Sequence, residues 1–87
     1  MNAQTDMPKL SRLFRMQWEE AQQAYVLLYP EGMVKLNQSA AEILKRCDGQ
    51  SDVSSIVAQL ESAFSATGLG AEVNAFLSNA RQRGWLV

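Results

Sequence analysis

The side chains of this chain that could do chemistry are few. It has no histidine, so the usual general base and the commonest metal ligand are missing. Its one cysteine, Cys47, has no second thiol, which excludes an internal disulfide framework and argues against a zinc site. Cys47 falls on an apolar stripe at the C-terminal end of a helix pattern, where the helix dipole raises a thiol pKa. That predicts a buried structural cysteine, not a nucleophile. Glu19 and Glu20 stand in a polar stretch and read as solvated, and Glu42 is expected in a helix cap. Gly68-Leu69-Gly70 precedes a helix pattern, but Val73 occupies the third glycine position of a dinucleotide fingerprint and no strand leads into it. On these grounds the expectation is a protein that is not an enzyme and holds no metal or cofactor of its own.

Composition narrows the class. A chain of 87 residues is one domain, and at that size only about 60–65% of the unfolded surface is buried. With 47% hydrophobic and 20% charged residues it has the profile of a soluble globular domain. Eight basic and nine acidic side chains give a net charge of −1, with no block of positive charge to supply phosphate binding, so no nucleic-acid partner is expected. No apolar run approaches the length of a membrane span. The opening stretch has no apolar signal region, so the expected location is the cytoplasm. Asn37-Gln38-Ser39 fits a glycosylation pattern, which without secretion reads as a strand end running into a helix cap.

These side chains need elements to hold them. Residues 1–12 are polar and mixed and read as a flexible arm; 13–87 read as a single domain. Phe14, Met16 and Trp18 alternate with Arg15 and Gln17, the period of a half-buried strand. Ala24 to Tyr29 is nearly all apolar, a strand covered at least partly on both faces. Pro30-Glu31-Gly32 breaks it with a turn, and Met33 to Asn37 follows as a short strand at a sheet edge. Val34 and Leu36 point one way along it, and Met33 and Lys35 the other.

The period then changes to 3.6. Ser39-Ala40-Ala41-Glu42 fits a capping box, with Ala40, Ile43, Leu44 and Cys47 on one face and Gly49 as the left-handed stop. A second helix carries Val53, Ile56, Val57, Leu60 and Phe64, capped by Ser51 or Asp52. A third carries Val73, Phe76, Leu77 and Ala80 and stops at Gly84, leaving Trp85-Leu86-Val87 to fold back on the core. The predicted class is α+β: a small winged-helix-like domain, a three-stranded antiparallel sheet followed by three helices.

Two binding classes remain. A winged-helix order invites DNA recognition, but the second helix offers no cation and the third sets Arg81 and Arg83 beside Glu72. The alternative is a peptide module, in which a short edge strand accepts an extended peptide as a further strand.

Leu28 to Asn37, then Ser39-Ala40, Ile43-Leu44 and Cys47-Asp48-Gly49, together with Arg15 to Trp18 and Arg83 to Leu86, resemble the pyrroloquinoline quinone (PQQ) biosynthesis protein D family, PqqD, from about Leu10 to Val87. The resemblance implies a winged-helix-like peptide-recognition element of ribosomally made, modified peptides. It implies a chaperone that binds the precursor peptide PqqA and presents it to PqqE, a radical S-adenosylmethionine enzyme that joins a glutamate and a tyrosine of the peptide. The iron–sulfur clusters and S-adenosylmethionine would belong to PqqE. The peptide would add to the third strand, Gly32, Met33, Val34, Lys35, Leu36 and Asn37, over the third helix. Met33 and Lys35 would touch peptide side chains, Leu77 and Arg81 would wall a groove, and Phe76 and Ala80 would be its floor or simply core. Arg81 is either a solvated arginine or a contact for a peptide carboxylate. A monomer is expected; exchange of the first hairpin between chains would give a strand-swapped dimer.

Overall fold

The two alternating stretches and the apolar run between them become three strands, and the 3.6-period stretches three helices. The computed structural model describes residues 6–87. The strands are β1 (Arg15–Glu19), β2 (Ala24–Tyr29) and β3 (Gly32–Lys35); the helices are α1 (Gln38–Lys45), α2 (Val53–Ala63) and α3 (Gly70–Gln82). The sheet is antiparallel in the order β1-β2-β3. The expected class and element order are therefore observed.

Register sorts the side chains into two faces. Met16, Leu27 and Val34 lie level across the sheet, and Arg15, Leu28 and Met33 lie one step along and so on the opposite face. The first face meets the helices: Leu27 and Leu36 join Ile43, Leu44, Ile56, Leu60, Val73 and Leu77 in the core, with Phe14, Met16, Tyr25 and Val34 packed at its margin.

Several local expectations give way to better partners. The N-cap of α1 is Asn37, not Ser39: the Asn37 side-chain oxygen accepts from Ala40 N–H at 2.8 Å. Ser39 lies inside α1, so no capping box forms, and the Glu42 carboxylate instead accepts from Lys45 at 3.2 Å and Arg46 at 3.0 Å. The hydrogen bond from Arg46, first of all, holds its carboxyl below the ordinary range; burial opposes this, and the Lys45 hydrogen bond adds to the lowering. The Asn37 cap also explains why β3 ends at Lys35 and not at Asn37. Asp52 caps α2, accepting from Ser55 N–H at 2.8 Å. Helix α1 stops before Gly49, at Lys45 with Arg46 as its C-cap. On α2 the stripe is shorter than expected: Ile56 and Leu60 are buried, whereas Phe64, the C-cap residue, is exposed.

The polar N-terminal stretch is not a loose arm over its described part. Pro8 is fully buried. Its carbonyl accepts from Gly49 N–H at 3.0 Å, Leu10 N–H donates to the Cys47 carbonyl at 3.1 Å, and Ser11 N–H donates to the Trp85 carbonyl at 2.7 Å. Val87 N–H closes the set on the Lys9 carbonyl at 2.8 Å. This segment thus clips the α1–α2 connection to the C-terminal residues, satisfying backbone groups that neither could pair alone. Gly49 has φ +78°, and a side chain there would meet the Lys9 stem at 3.1 Å, so its left-handed turn serves the clip and not the helix end. Residues 1–5 of the predicted arm lie outside the described residues.

Candidate functional site

Strand β3 is an edge, and one hydrogen bond sets the direction of its backbone. Leu36 N–H donates to the Tyr25 carbonyl at 2.9 Å. In an antiparallel ladder, residues alternate between pairs that exchange hydrogen bonds and pairs that do not. With Leu27 opposite Val34 and Leu28 opposite Met33, the N–H and C=O of Gly32, Val34 and Leu36 point at β2. Those of Met33 and Lys35 point outward along the open edge. Both residues are exposed. Four main-chain groups, two donors and two acceptors, therefore line up there, unpaired among the described residues.

Beside this edge runs a groove of about 430 Å³ between β3 and the last turns of α3. Val34 forms one bank, and Phe76, Asn79 and Ala80 the other, with Trp85 and Arg83 at the end. The alternation that sends Val34 toward the helices makes it both a margin of the core and a wall of the groove. Helix α3 supplies its bank at i, i+3, i+4 and i+7 from Phe76.

Trp85 owes its position to the end of α3. Trp85 N–H donates to the Ala80 carbonyl at 2.9 Å and Gly84 N–H to the Arg81 carbonyl at 3.0 Å. With Gly84 at φ +78°, this is a Schellman motif, which reverses the chain and lays Trp85 back along the helix. Its ring sits 6.4 Å from that of Phe76, tilted by 57°. Arg83 lies over the Trp85 ring at 5.6 Å, and its Nε–H donates to Asn79 Oδ1 at 2.8 Å.

The expected site residues divide. Gly32, Met33, Val34 and Lys35 form the edge; Phe76 and Ala80 line the groove with Val34. Leu36 is core, and Asn37 is committed to the α1 cap. Leu77 is not a groove wall: it is 2% exposed, on the α3 face turned to the core. Arg81 turns away as well, pairing with Asp6 at 2.6 Å. Met33 and Lys35 project from the sheet face opposite the groove, so a peptide would meet them on its other side. Trp85 folds back after Gly84 as expected, but its place in the groove, with Asn79 and Arg83, was not anticipated. A signal was available: Asn79 and Arg83 continue the Phe76 spacing.

Cys47 is buried and donates from Sγ to the Ile43 carbonyl at 3.3 Å. Burial, more than any neighbouring charge, pushes its pKa up to about 11. The thiolate needed for nucleophilic attack is thereby disfavoured.

The family model described as coenzyme PQQ synthesis protein D (PqqD) matches residues 24–86. The chain belongs to the PqqD family. A relative from Methylococcus capsulatus called a PqqA binding protein is 52% identical over 87 residues, covering 99% of this chain and 94% of its own. Another of that name, from Azotobacter vinelandii, is 52% identical over 82 residues, covering 93% and 89%. Among solved structures, the solution structure of the PqqD truncation of Methylobacterium extorquens PqqCD matches with a TM-score of 0.74 at 31% identity, covering 97% of this chain and 92% of that one. That truncation is described as a functional, stand-alone recognition element for ribosomally synthesized, post-translationally modified peptides. Binding and recognition are the roles printed for the PqqD relatives, and they are non-catalytic.

Proposed function

We propose that this chain binds the PQQ precursor peptide PqqA as an added strand on β3, over α3, and presents it to the radical S-adenosylmethionine enzyme PqqE. The observation that carries this reading is the outward row of Met33 and Lys35 backbone groups beside an apolar groove. Main-chain pairing supplies affinity in strand addition, and pockets for alternate side chains supply specificity. An added strand would continue the pleat, so every second peptide side chain would fall on the groove side, against Val34, Phe76 and Trp85. The relatives' printed names support the choice of PqqA. The peptide's chemistry is left to PqqE.

An NMR titration of the amide-labelled protein with PqqA tests the reading. The Met33, Lys35, Phe76 and Trp85 amides are expected to shift together. Shifts confined to β1, the other sheet edge, would overturn it. A second arm incubates protein, PqqA and S-adenosylmethionine without PqqE. The peptide mass is expected to stay unchanged, and any modification would refute the non-catalytic role.

A further inference from the structure

The groove carries a charge that its apolar lining does not require. Asn79 occupies the Nε–H of Arg83, and the guanidinium sits over the Trp85 ring, so the head group is oriented while, among the described residues, nothing takes its terminal N–H groups. Among the described residues no carboxylate pairs with it, whereas Arg81, two positions earlier, is taken by Asp6. Among the described residues, no acidic side chain lines the groove. A planar cation, set over an aromatic ring and held through its Nε–H, presents a fork matched to a carboxylate.

We propose that Arg83 is a specificity-determining residue that reads one carboxylate of the bound peptide, next to an apolar side chain seated between Val34 and Phe76. This rests on the strand-addition reading. The peptide recognised is then acidic and apolar in close succession. Arg83 would discriminate against peptides lacking the acid, because a guanidinium drawn into an occupied groove without a partner loses its hydration and gains nothing in exchange.

The test is a calorimetric double-mutant cycle. PqqA, and a set of PqqA peptides each with one Glu or Asp replaced by its amide, are titrated into the wild-type protein and into Arg83→Gln and Arg83→Lys. Arg83→Gln is expected to weaken intact PqqA about tenfold or more, the effect of one charge-assisted pair. One amide peptide should lose a similar factor against wild type and nothing further against Arg83→Gln. Arg83→Lys should recover only part of the loss, since the ammonium cannot form the fork. Arg83 is exposed, so these variants should melt with the wild type. If no amide peptide weakens binding to wild type, or all lose equally against wild type and Arg83→Gln, the assignment is overturned. Lys35→Pro separates the two failures. If it weakens PqqA while no carboxylate couples to Arg83, strand addition stands and only the role of Arg83 falls. If Lys35→Pro leaves affinity unchanged, strand addition itself falls.

Discussion

Proline at two neighbouring positions of β3 should produce opposite phenotypes. Val34→Pro removes an N–H that points at β2, and Lys35→Pro one that points into solvent. Losing a ladder bond costs about 0.5–1.5 kcal/mol net, and leaving its acceptor without a partner adds about 1–3 kcal/mol. That acceptor would be the carbonyl of Leu27, a residue with no exposed surface, so the larger figures apply. Val34→Pro should therefore cost roughly 3–4 kcal/mol, against a total of about 4–13 kcal/mol for a domain of this size. Val34→Pro is a cleaner choice than Leu36→Pro, because the Leu36 side chain is itself core. Lys35→Pro loses no internal bond. Its cost is the strain of the ring's fixed φ in a strand, about 1 kcal/mol, and the preceding Val34 is already in the extended conformation that a following proline demands. Binding should show the reverse. Four outward groups each worth about 0.5–1.5 kcal/mol give about 2–6 kcal/mol of pairing. Proline at 35 deletes one donor and puts ring atoms where the added strand would lie, so PqqA should bind about 5–30-fold more weakly. Circular dichroism melts read the first effect and calorimetry the second. Equal destabilisation by the two variants would refute the assigned backbone direction, and unchanged affinity in Lys35→Pro would refute strand addition.

Three further outcomes follow from the packing. Leu60→Ala, at a core position, should lower stability by about 2–5 kcal/mol in denaturant titration. An unchanged midpoint would mean that α2 presents a different face. Gly84→Ala places a side chain at φ +78° with nothing within 4 Å to clash. It should cost about 1–2 kcal/mol of backbone strain and weaken PqqA by unseating Trp85, read by melting, tryptophan fluorescence and calorimetry together. Cys47 keeps its proton in the folded state up to about pH 11, against an ordinary value of 9.0. The unfolded chain releases it first, so this contribution is whole below pH 9.0 and declines as pH rises toward about 11, a loss of about 2–3 kcal/mol. Cys47→Ala should flatten the decline of stability measured across that window; an equally steep decline in the variant would refute the assignment.

Much of this was legible in the sequence, for physical reasons. Side-chain facing on β3 follows from a period of two, and the core of α2 and α3 from a period near 3.6, so Leu36, Ile56, Leu60 and Val73 were accessible to reading. Backbone direction was not. Whether Met33 or Val34 pairs outward depends on register against β2, which side-chain facing does not set. The cap of α1 failed for a related reason: Asn37 and Ser39 are both competent cap residues, and which of them starts the helix goes with where β3 ends. On α3 the apolar stripe is wide enough to serve two surfaces. Sequence spacing groups Phe76 with Leu77, but tertiary packing sends Leu77 to the core and leaves Phe76 half-exposed on the groove. Arg81 and Arg83 are indistinguishable by type; Asp6 takes the first, while Asn79 and Trp85 hold the second at the groove. The N-terminal clip leaves no periodic trace at all, because it consists of isolated backbone bonds.

That clip has a kinetic corollary. Two hairpins of short sequence separation build the sheet, so β1, β2 and β3 can pair early, at little loop-closure cost. The Trp85 end of the groove is held differently: Leu10 bridges Leu86 and Ser11 bonds Trp85, joining stretches at opposite ends of the chain order. During synthesis the open β3 edge is thus available before the feature that would make it selective. A nascent chain could pair with any extended strand, and discrimination would arrive only once α3 and its terminal turn had formed and the clip to Leu10 and Ser11 had fixed them against the sheet.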